Sequence, residues 1–119
     1  MSDSQRFAAA LGRLSATIAE RQGDDPSQSY TAKLLSQGAV KAAQKLGEEA
    51  IETGLAAALK DADGVANESA DLIYHWLVLL QAAGVPLDAV AVKLEAREGQ
   101  SGVAEKLSLI HISEPTRPY

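Results

Sequence analysis

A chain of 119 residues with no cysteine has the length of one domain, and it excludes disulfides, thiolate chemistry and cysteine-ligated zinc. Its net charge of −5 and the lack of a basic block argue against nucleic-acid binding, and its richness in Ala and Leu favours an all-α fold. The N-terminus carries no apolar signal segment, and the apolar run at residues 76–80 is too short to span a bilayer. We therefore expect a cytoplasmic protein with no membrane partner.

The first predicted helix begins near Ser4 and ends within residues 21–23, before a polar loop. Its apolar stripe has the spacing of one helix face and consists of Phe7, Leu11, Leu14 and Ile18. A short second helix is predicted over residues 30–36, with Ser29 or Thr31 as its N-cap.

A long helix is predicted next, over residues 39–60. Its large apolar residues, which we expect to be buried, are Val40, Leu46, Ile51, Leu55 and Leu59. Gly47 and Gly54 lie inside this helix, where each glycine costs up to about 1 kcal/mol relative to Ala. A close approach of a ligand or of a partner helix would account for both glycines.

Residues 61–64 are predicted to form a turn before a further long helix over residues 65–83, which Gly84 should close. The last predicted helix begins at Val85-Pro86 and ends near residues 98–99. The residues of this helix that we expect to face inward are Leu87, Val90, Ala91 and Leu94.

The C-terminal sequence LSLIHISEPTRPY differs in character from the rest of the chain. It follows alanine-rich helices with a β-like apolar run and two prolines, and nothing after it could pair with a strand. We therefore predict one all-α domain over residues 1–106 and a non-native or disordered tail over residues 107–119.

Five carboxylates stand at helical spacing in the two long predicted helices: Glu48, Glu49, Glu52, Glu68 and Asp71. At 100° per residue, Glu48 and Glu52 lie within about 40° of each other, on the arc of Leu55 and Leu59. Glu68 shares its arc with Leu72, His75 and Leu79. A solvated acidic face would lie opposite the leucines, whereas these carboxylates lie among them.

Carboxylates removed from water need a cation, because a buried ionised carboxylate is costly and several together repel one another. Mg²⁺ or Mn²⁺ meets this need, since both prefer oxygen ligands and are commonly shared between carboxylates and substrate phosphates. Helical bundles place such ligands on facing helices. We interpret the two acidic segments as antiparallel neighbours with a metal site between them; the alternative is an ordinary solvated acidic face.

Three stretches, SYTAKLL, KAAQKLGEEAIE and NESADLIYHWLVLL, closely resemble the phosphoribosyl-ATP pyrophosphohydrolase family of histidine biosynthesis. That family belongs to the all-α nucleotide pyrophosphohydrolases, which include MazG-like enzymes and dUTPases. The superfamily pattern EExxE followed by ExxD alone is less specific than SYT, KxxQKxGEE and DLxYH. The resemblance extends over about residues 7–106.

The resemblance implies hydrolysis of the bond between the α and β phosphates of phosphoribosyl-ATP, which gives phosphoribosyl-AMP and pyrophosphate. It also implies an antiparallel MazG-like bundle of four or five helices. The family assembles as a dimer or a dimer of dimers, with sites near the subunit contacts. We therefore expect a homo-oligomer whose other partner is a small nucleotide substrate.

Phosphoanhydride hydrolysis requires neutralised phosphates, a positioned water and a leaving group held in line. The residues predicted to hold Mg²⁺, or Mn²⁺, are Glu49, Glu52, Glu68 and Asp71. Glu48, Glu49 and Glu52 are the catalytic candidates. The sequence leaves open whether Glu48 is a ligand, an orienting group or the general base for the water.

The residues predicted to bind substrate are Tyr30, Lys33, Lys41, Lys45 and Arg97. The lysines would contact phosphate oxygens as point charges, although Lys33 and Lys41 could equally be solvated. Tyr30 and Tyr74 would either stack on the adenine or ribose region or simply pack. Arg97 would either reach a phosphate, by resemblance, or cap the last helix. His75 lies one turn beyond Asp71; because magnesium prefers oxygen, we predict that His75 orients a carboxylate.

Two other functions are compatible with the same residues. One is a MazG-like or dUTPase-type enzyme that cleaves nucleoside triphosphates, from which only the SYT and YH features distinguish this chain. The other is a non-catalytic helical dimer that retains the acidic motifs, whose stability would not respond to Mg²⁺.

Overall fold

The computed structural model describes residues 1–99, and in that range the chain forms five α-helices and no strand. In chain order the helices are α1 (Asp3–Glu20), α2 (Tyr30–Ser36), α3 (Gly38–Ala58), α4 (Ala62–Ala83) and α5 (Leu87–Glu95). The predicted all-α fold is confirmed. The predicted domain boundary at residue 106 and the tail over residues 107–119 lie outside the described residues.

The chain divides into two compact units, Met1–Leu87 and Asp88–Tyr119. The first unit contains α1 to α4. In the described part of the second unit, α5 ends at Glu95 instead of at the predicted residues 98–99, because the backbone there forms turn hydrogen bonds to carbonyls three residues earlier. Leu94 was predicted to face inward, but 62% of its surface is exposed.

Side-chain caps fix the starts of α1 and α2. Ser2 and Gln5 form a capping box, in which Ser2 Oγ accepts from the Gln5 N–H and Gln5 Oε1 accepts from the Ser2 N–H. Ser29, one of the two predicted caps, accepts a hydrogen bond from the Ala32 N–H and begins α2. Thr31, the other candidate, lies inside the helix.

The two ends of α4 are also set by identifiable residues. The helix begins at Ala62 and not at the predicted Val65, because the Asp61 carboxylate accepts the Gly64 N–H at 2.9 Å and caps the segment predicted as a turn. Gly84 ends the helix as predicted, with a left-handed φ of 72°.

The core of the first unit forms where α4 packs against the other three helices. Its buried cluster takes residues from all four helices: Ile18, Leu34, Leu35, Ala42, Leu77 and Val78. Burying a large aliphatic side chain contributes about 1.5–3 kcal/mol. The cluster therefore fixes α4 as the central helix, against which α1, α2 and α3 are placed.

The helix α3 presents a different face to the core from the one predicted. Four of its large apolar residues have exposed fractions from 59% to 87%: Val40, Ile51, Leu55 and Leu59. The buried or half-buried stripe follows the spacing i, i+4, i+7, i+11 and i+14, and it consists of Ala42, Leu46, Glu49, Thr53 and Ala56. Two alanines and Thr53 give this stripe small side chains at three of its five positions, whereas the large apolar residues of the helix other than Leu46 face outward.

Gly47 and Gly54 do not mark a helix contact inside this chain. Apart from their own helix backbone, no atom of residues 1–99 lies within 4 Å of a Cβ built on either glycine. The helix α1 also differs from the prediction at one position, since Phe7 exposes 55% of its surface. Phe7 stands beside a small apolar groove of about 140 Å³ that is lined by Phe7, Ala10, Leu11, Leu14, Ala70 and Ile73.

The apolar residues of α4 serve the protein core. Leu77 and Val78 are buried, and Trp76, Leu79 and Leu80 are packed against the core cluster. Across residues 1–99, no single helix is long and apolar enough to cross a membrane; α4 and α5 meet the criteria of length and composition only when counted together.

Candidate metal centre and lysine cavity

The carboxylates meet between α3 and α4, the most extensively packed pair of helices among residues 1–99. Glu49 on α3 lies near His75 on α4, and Glu52, one turn further along α3, lies near Glu68, about two turns earlier on α4. Residue numbers rise along α3 in the direction in which they fall along α4. The two helices are therefore antiparallel, as predicted.

Glu49, Glu68 and Asp71 converge. Each offers a carboxylate oxygen, and the three oxygens lie within 4.8 Å of one another. Glu49 and Glu68 are half-buried, whereas Asp71 is exposed at the edge of the group. The Oε2 atoms of Glu49 and Glu68 are buried and have no hydrogen-bond partner among the described residues. Unpaired buried carboxylate oxygens are costly, so the group fits a hard divalent cation such as Mg²⁺.

Glu52 lies beside this group, on the solvent side. Its carboxyl is within hydrogen-bonding reach of Glu68, and that proximity and the charge of Glu68 are the main causes that raise the pKa of Glu52 above its ordinary value. Burial and the charges of Asp71 and Glu48 raise the pKa further. A proton or a cation shared between the two carboxyls would relieve their repulsion.

Glu48 is not one of the three converging carboxylates. Its side chain is about half exposed, it accepts a hydrogen bond from Gln44 Nε2 at 3.1 Å, and it lies 3.8 Å from Lys45 Nζ. Both partners are on α3 itself. Glu48 is therefore separated from Glu49 by its position on the helix, although the two residues are adjacent in sequence.

His75 is buried, with 7% of its surface exposed, and its Nε2 lies 4.0 Å from Glu49 Oε1. Burial is the main cause that lowers the pKa of His75, and Lys45 lowers it further, against the opposing charges of Asp71 and Glu48. The imidazole is consequently neutral at physiological pH, and it stands behind the carboxylate group, next to Glu49.

The lysines surround a cavity of about 230 Å³. Its lining brings together four of the residues predicted to bind substrate, namely Tyr30, Lys33, Lys41 and Lys45, and it adds Leu34 and Gln37. Three ammonium groups around one cavity make it attractive to anions. The sequence analysis missed Gln37, although it continues the four-residue spacing from Lys33 to Lys41, which could have identified it.

Arg97 belongs to the second unit and contacts Lys93 of the same unit. Its Nη1 donates a hydrogen bond to the Lys93 carbonyl at 2.5 Å. That contact satisfies a carbonyl in the last turn of α5, which is the capping role considered for Arg97. Contact with a phosphate stays a prediction.

Known proteins match this sequence along most of the chain. A family described as phosphoribosyl-ATP pyrophosphohydrolase matches residues 11–98. The phosphoribosyl-ATP pyrophosphatase of Caulobacter vibrioides is 64% identical over 105 residues, which cover 88% of this chain and 97% of that protein.

Proteins with the same name from two other bacteria are also similar. That of Methylobacterium radiotolerans is 58% identical over 96 residues, covering 81% of this chain and 90% of that protein. That of Azospirillum brasilense is 52% identical over 106 residues, covering 89% and 96%. The predicted resemblance is therefore confirmed: the chain belongs to the phosphoribosyl-ATP pyrophosphohydrolase family.

Proposed function

We propose that this chain hydrolyses phosphoribosyl-ATP to phosphoribosyl-AMP and pyrophosphate, the second step of histidine biosynthesis. The similar proteins named phosphoribosyl-ATP pyrophosphatase match it over nearly their whole length. The observation that carries the proposal is the convergence of Glu49, Glu68 and Asp71 near a cavity lined by three lysines. The first group suits a metal ion and the second suits phosphates.

Glu49, Glu68 and Asp71, completed by Glu52, would hold Mg²⁺, or Mn²⁺ in its place. Two features support this assignment: every donor is a carboxylate oxygen, and two of those oxygens are buried without another partner among the described residues. When bound, the ion would polarise a phosphoryl oxygen and offset the charge that develops there. A chain of net charge −5 needs such help to hold a polyphosphate.

The lysine cavity would hold the phosphate chain of the substrate. Lys33, Lys41 and Lys45, which line it, would supply positive charge to the phosphates, and a cation held by the carboxylates would supply more. Tyr30 is 56% exposed at the cavity, so its ring is available to stack on the adenine or ribose. Arg97 is a further phosphate contact on the family resemblance alone.

Two residues would orient others. Of the roles left open for Glu48, we favour the orienting one, because its carboxylate lies beside Lys45 and on the outer side of α3. His75 would orient Glu49, since a neutral imidazole can donate one hydrogen bond. Closing the present 4.0 Å separation to a hydrogen bond requires a movement of about 1 Å.

A homo-oligomer, with a dimer as the simplest form, is part of the proposal. Val40, Ile51 and Leu55 share the outer face of α3 with Gly47 and Gly54, and this apolar face is open to solvent in the single chain. A second copy packed there would bury it, and the glycines would permit a close approach. We also propose a cytoplasmic location, where phosphorylated nucleotides are made and consumed.

The test compares Glu49→Gln with Glu48→Gln, two adjacent glutamates on one helix with different surroundings. Wild type should melt at a higher temperature with Mg²⁺ than with EDTA, because a metal that binds only the folded state stabilises it. Glu49→Gln should lose most of this difference. It should also lose turnover by more than about a hundredfold, beyond the effect of removing a residue that only orients a ligand.

Glu48→Gln should keep the Mg²⁺-dependent rise in melting temperature, because its carboxylate is not in the converging group. Its activity should fall through a higher KM. A wild-type protein whose melting temperature is the same in Mg²⁺ and EDTA would contradict the metal site and favour a non-catalytic helical protein.

A further inference from the structure

The two sequence features that distinguish this family within its superfamily touch each other. Thr31 of the SYT segment and Tyr74 of the YH segment share a hydrogen bond of 2.6 Å between Thr31 Oγ1 and the tyrosine Oη. The two residues are 43 positions apart in sequence, and the bond joins α2 to α4 in a partly buried position. The metal and the phosphates need neither hydroxyl in the function proposed above.

The helix α2 needs such a contact. It has seven residues, too few for a helix to be stable in isolation, so its place depends on what it packs against. Leu34 and Leu35 bury it against the core. Apolar packing is non-directional and leaves some freedom of rotation about the helix axis, whereas a hydrogen bond is directional and restricts it.

Rotation of α2 matters because its other side lines the lysine cavity. Tyr30 and Lys33 lie three residues apart on one face and both line the cavity. Thr31 lies two residues before Lys33, about 200° away around the helix. A turn of α2 that released Thr31 would therefore move Tyr30 and Lys33 relative to the rest of the cavity wall.

The other end of the bond, Tyr74, lies on α4, the helix that carries Glu68 and Asp71. Tyr74 precedes His75, and their rings meet edge to face with centroids 5.0 Å apart. Asp71 lies one turn earlier on the same helix. Burial is the main cause that raises the pKa of Tyr74, against the effect of the Thr31 hydrogen bond, so the phenol stays neutral and keeps its hydrogen at physiological pH.

We propose that the hydrogen bond between Thr31 and Tyr74 is a positioning contact for the reaction, which holds the Tyr30 and Lys33 side of the cavity at a fixed place relative to the carboxylate site. Thr31 and Tyr74 are positioning residues and touch no substrate. This inference rests on the proposed role of the lysine cavity in binding substrate phosphates.

The experiment measures pyrophosphate release from phosphoribosyl-ATP for Tyr74→Phe, Thr31→Val and the double variant, each of which removes the bond at nearly constant shape. We expect KM to rise about threefold to tenfold, the range that corresponds to one lost hydrogen bond. The value of kcat and the Mg²⁺ concentration for half-maximal rate should stay within about twofold. Because all three variants lose the same bond, the double variant should be no worse than either single one.

Two further variants separate this positioning role from a general loss of structure. Thr31→Ser keeps the hydroxyl and should restore KM to nearly the wild-type value. Lys33→Gln should raise KM by itself, and in its background Tyr74→Phe should have a smaller effect than in wild type, because the two changes act on the same side of the cavity.

The outcomes distinguish this inference from the function on which it rests. If Lys33→Gln raises KM but Thr31→Val and Tyr74→Phe leave it unchanged, the positioning role is wrong and the phosphate-binding cavity stands. If Lys33→Gln leaves KM unchanged, the cavity does not bind the substrate phosphates. The phosphate-binding role of the cavity and the positioning role of the hydrogen bond are then both wrong. Equal effects of Tyr74→Phe with and without Lys33 would also overturn the positioning role.

Discussion

Repulsion between Glu52 and Glu68 opposes folding when no cation is bound. The pKa of Glu52 is raised mainly by its closeness to Glu68, so the folded state binds a proton at Glu52 more tightly than the unfolded state does. Stability from this source is present at low pH and is lost as the pH rises through the window above the ordinary glutamate value. The proposed metal site thus carries an electrostatic cost in the metal-free protein.

We predict that Glu52→Gln stabilises the metal-free protein at neutral pH and removes the contribution of Glu52 to its pH dependence. In EDTA, wild type should gain stability relative to the variant as the pH falls towards the ordinary glutamate pKa, with a slope of up to about one proton. The lowered pKa of His75 has the opposite effect on stability, but it acts in both proteins and cancels in the difference. Urea denaturation at a series of pH values measures both effects. The same variant should show reduced turnover, since Glu52 is proposed to complete the metal site.

The control for this prediction is Glu20→Gln, which neutralises an exposed glutamate on α1, outside the acidic group. It should leave the pH dependence as in wild type. A Glu52→Gln protein that is less stable than wild type in EDTA would show that the carboxylate supports the fold, which is the reverse of our account.

Individual site residues were predictable from the sequence only in part. The convergence of Glu49, Glu68 and Asp71 was predicted, but periodicity identified the buried arc correctly only on α4. On α3 the arc of Leu55 and Leu59, which Glu48 and Glu52 share, is exposed. Periodicity could not separate Glu48 from Glu49, since the face that α3 buries depends on its packing against α4. Gln37 was missed because a neutral amide carries no charge signal.

At the scale of single elements, the two faces of α3 have different surroundings: one packs against α4 and the other is exposed to solvent. Its inner stripe has alanine at two of its five positions and carries Glu49, and its outer face exposes Val40, Ile51 and Leu55. The prediction for this helix followed its largest apolar residues and was therefore wrong about which side is buried. Close packing of two helices selects small side chains, and a scale that weighs residues by hydrophobicity gives alanine too little weight.

We predict that the outer face of α3 is covered by a second copy of the chain. Wild type should have a mass in solution of at least twice the 12.5 kDa of one chain. Ile51→Glu should shift it towards the monomer, because a charge placed in an apolar contact must be desolvated without a partner. Analytical ultracentrifugation at several concentrations measures the change.

Ala16→Glu is the matched control, since it places the same side chain at an exposed position on α1, away from the outer face of α3. That variant should keep the wild-type mass. A wild-type protein that sediments as a single chain, or an Ile51→Glu variant that keeps the full mass, would rule out this face as the contact.

At the scale of the whole molecule, composition and periodicity were sufficient for the all-α class and for the approximate extents of all five helices. The first unit is organised around α4, and its antiparallel pairing with α3 was predictable because two acidic segments needed a common cation. Helix starts were less predictable: Ser29 was among the predicted caps, but the Asp61 cap adds a turn to α4 where the sequence indicated a turn before the helix. Family membership was predictable from short sequence motifs alone.

The net charge of the whole molecule determines what substrate binding requires. A chain of net charge −5 has to hold a substrate that carries several phosphates, and its residues 1–99 include a cavity lined by lysines and a carboxylate group suited to a cation. Activity should therefore depend on metal, and substrate choice should depend on the part of the substrate beyond the triphosphate.

The measurement that tests this account most directly is pyrophosphate release from phosphoribosyl-ATP, ATP and dUTP, each with Mg²⁺ and with EDTA. We predict release from phosphoribosyl-ATP that requires Mg²⁺, and little or none from ATP or dUTP. Comparable release from ATP or dUTP would assign the chain to nucleoside triphosphate hydrolysis. Release from phosphoribosyl-ATP that persists in EDTA, or no release from any substrate, would contradict the central claim of a metal-dependent phosphoribosyl-ATP pyrophosphohydrolase.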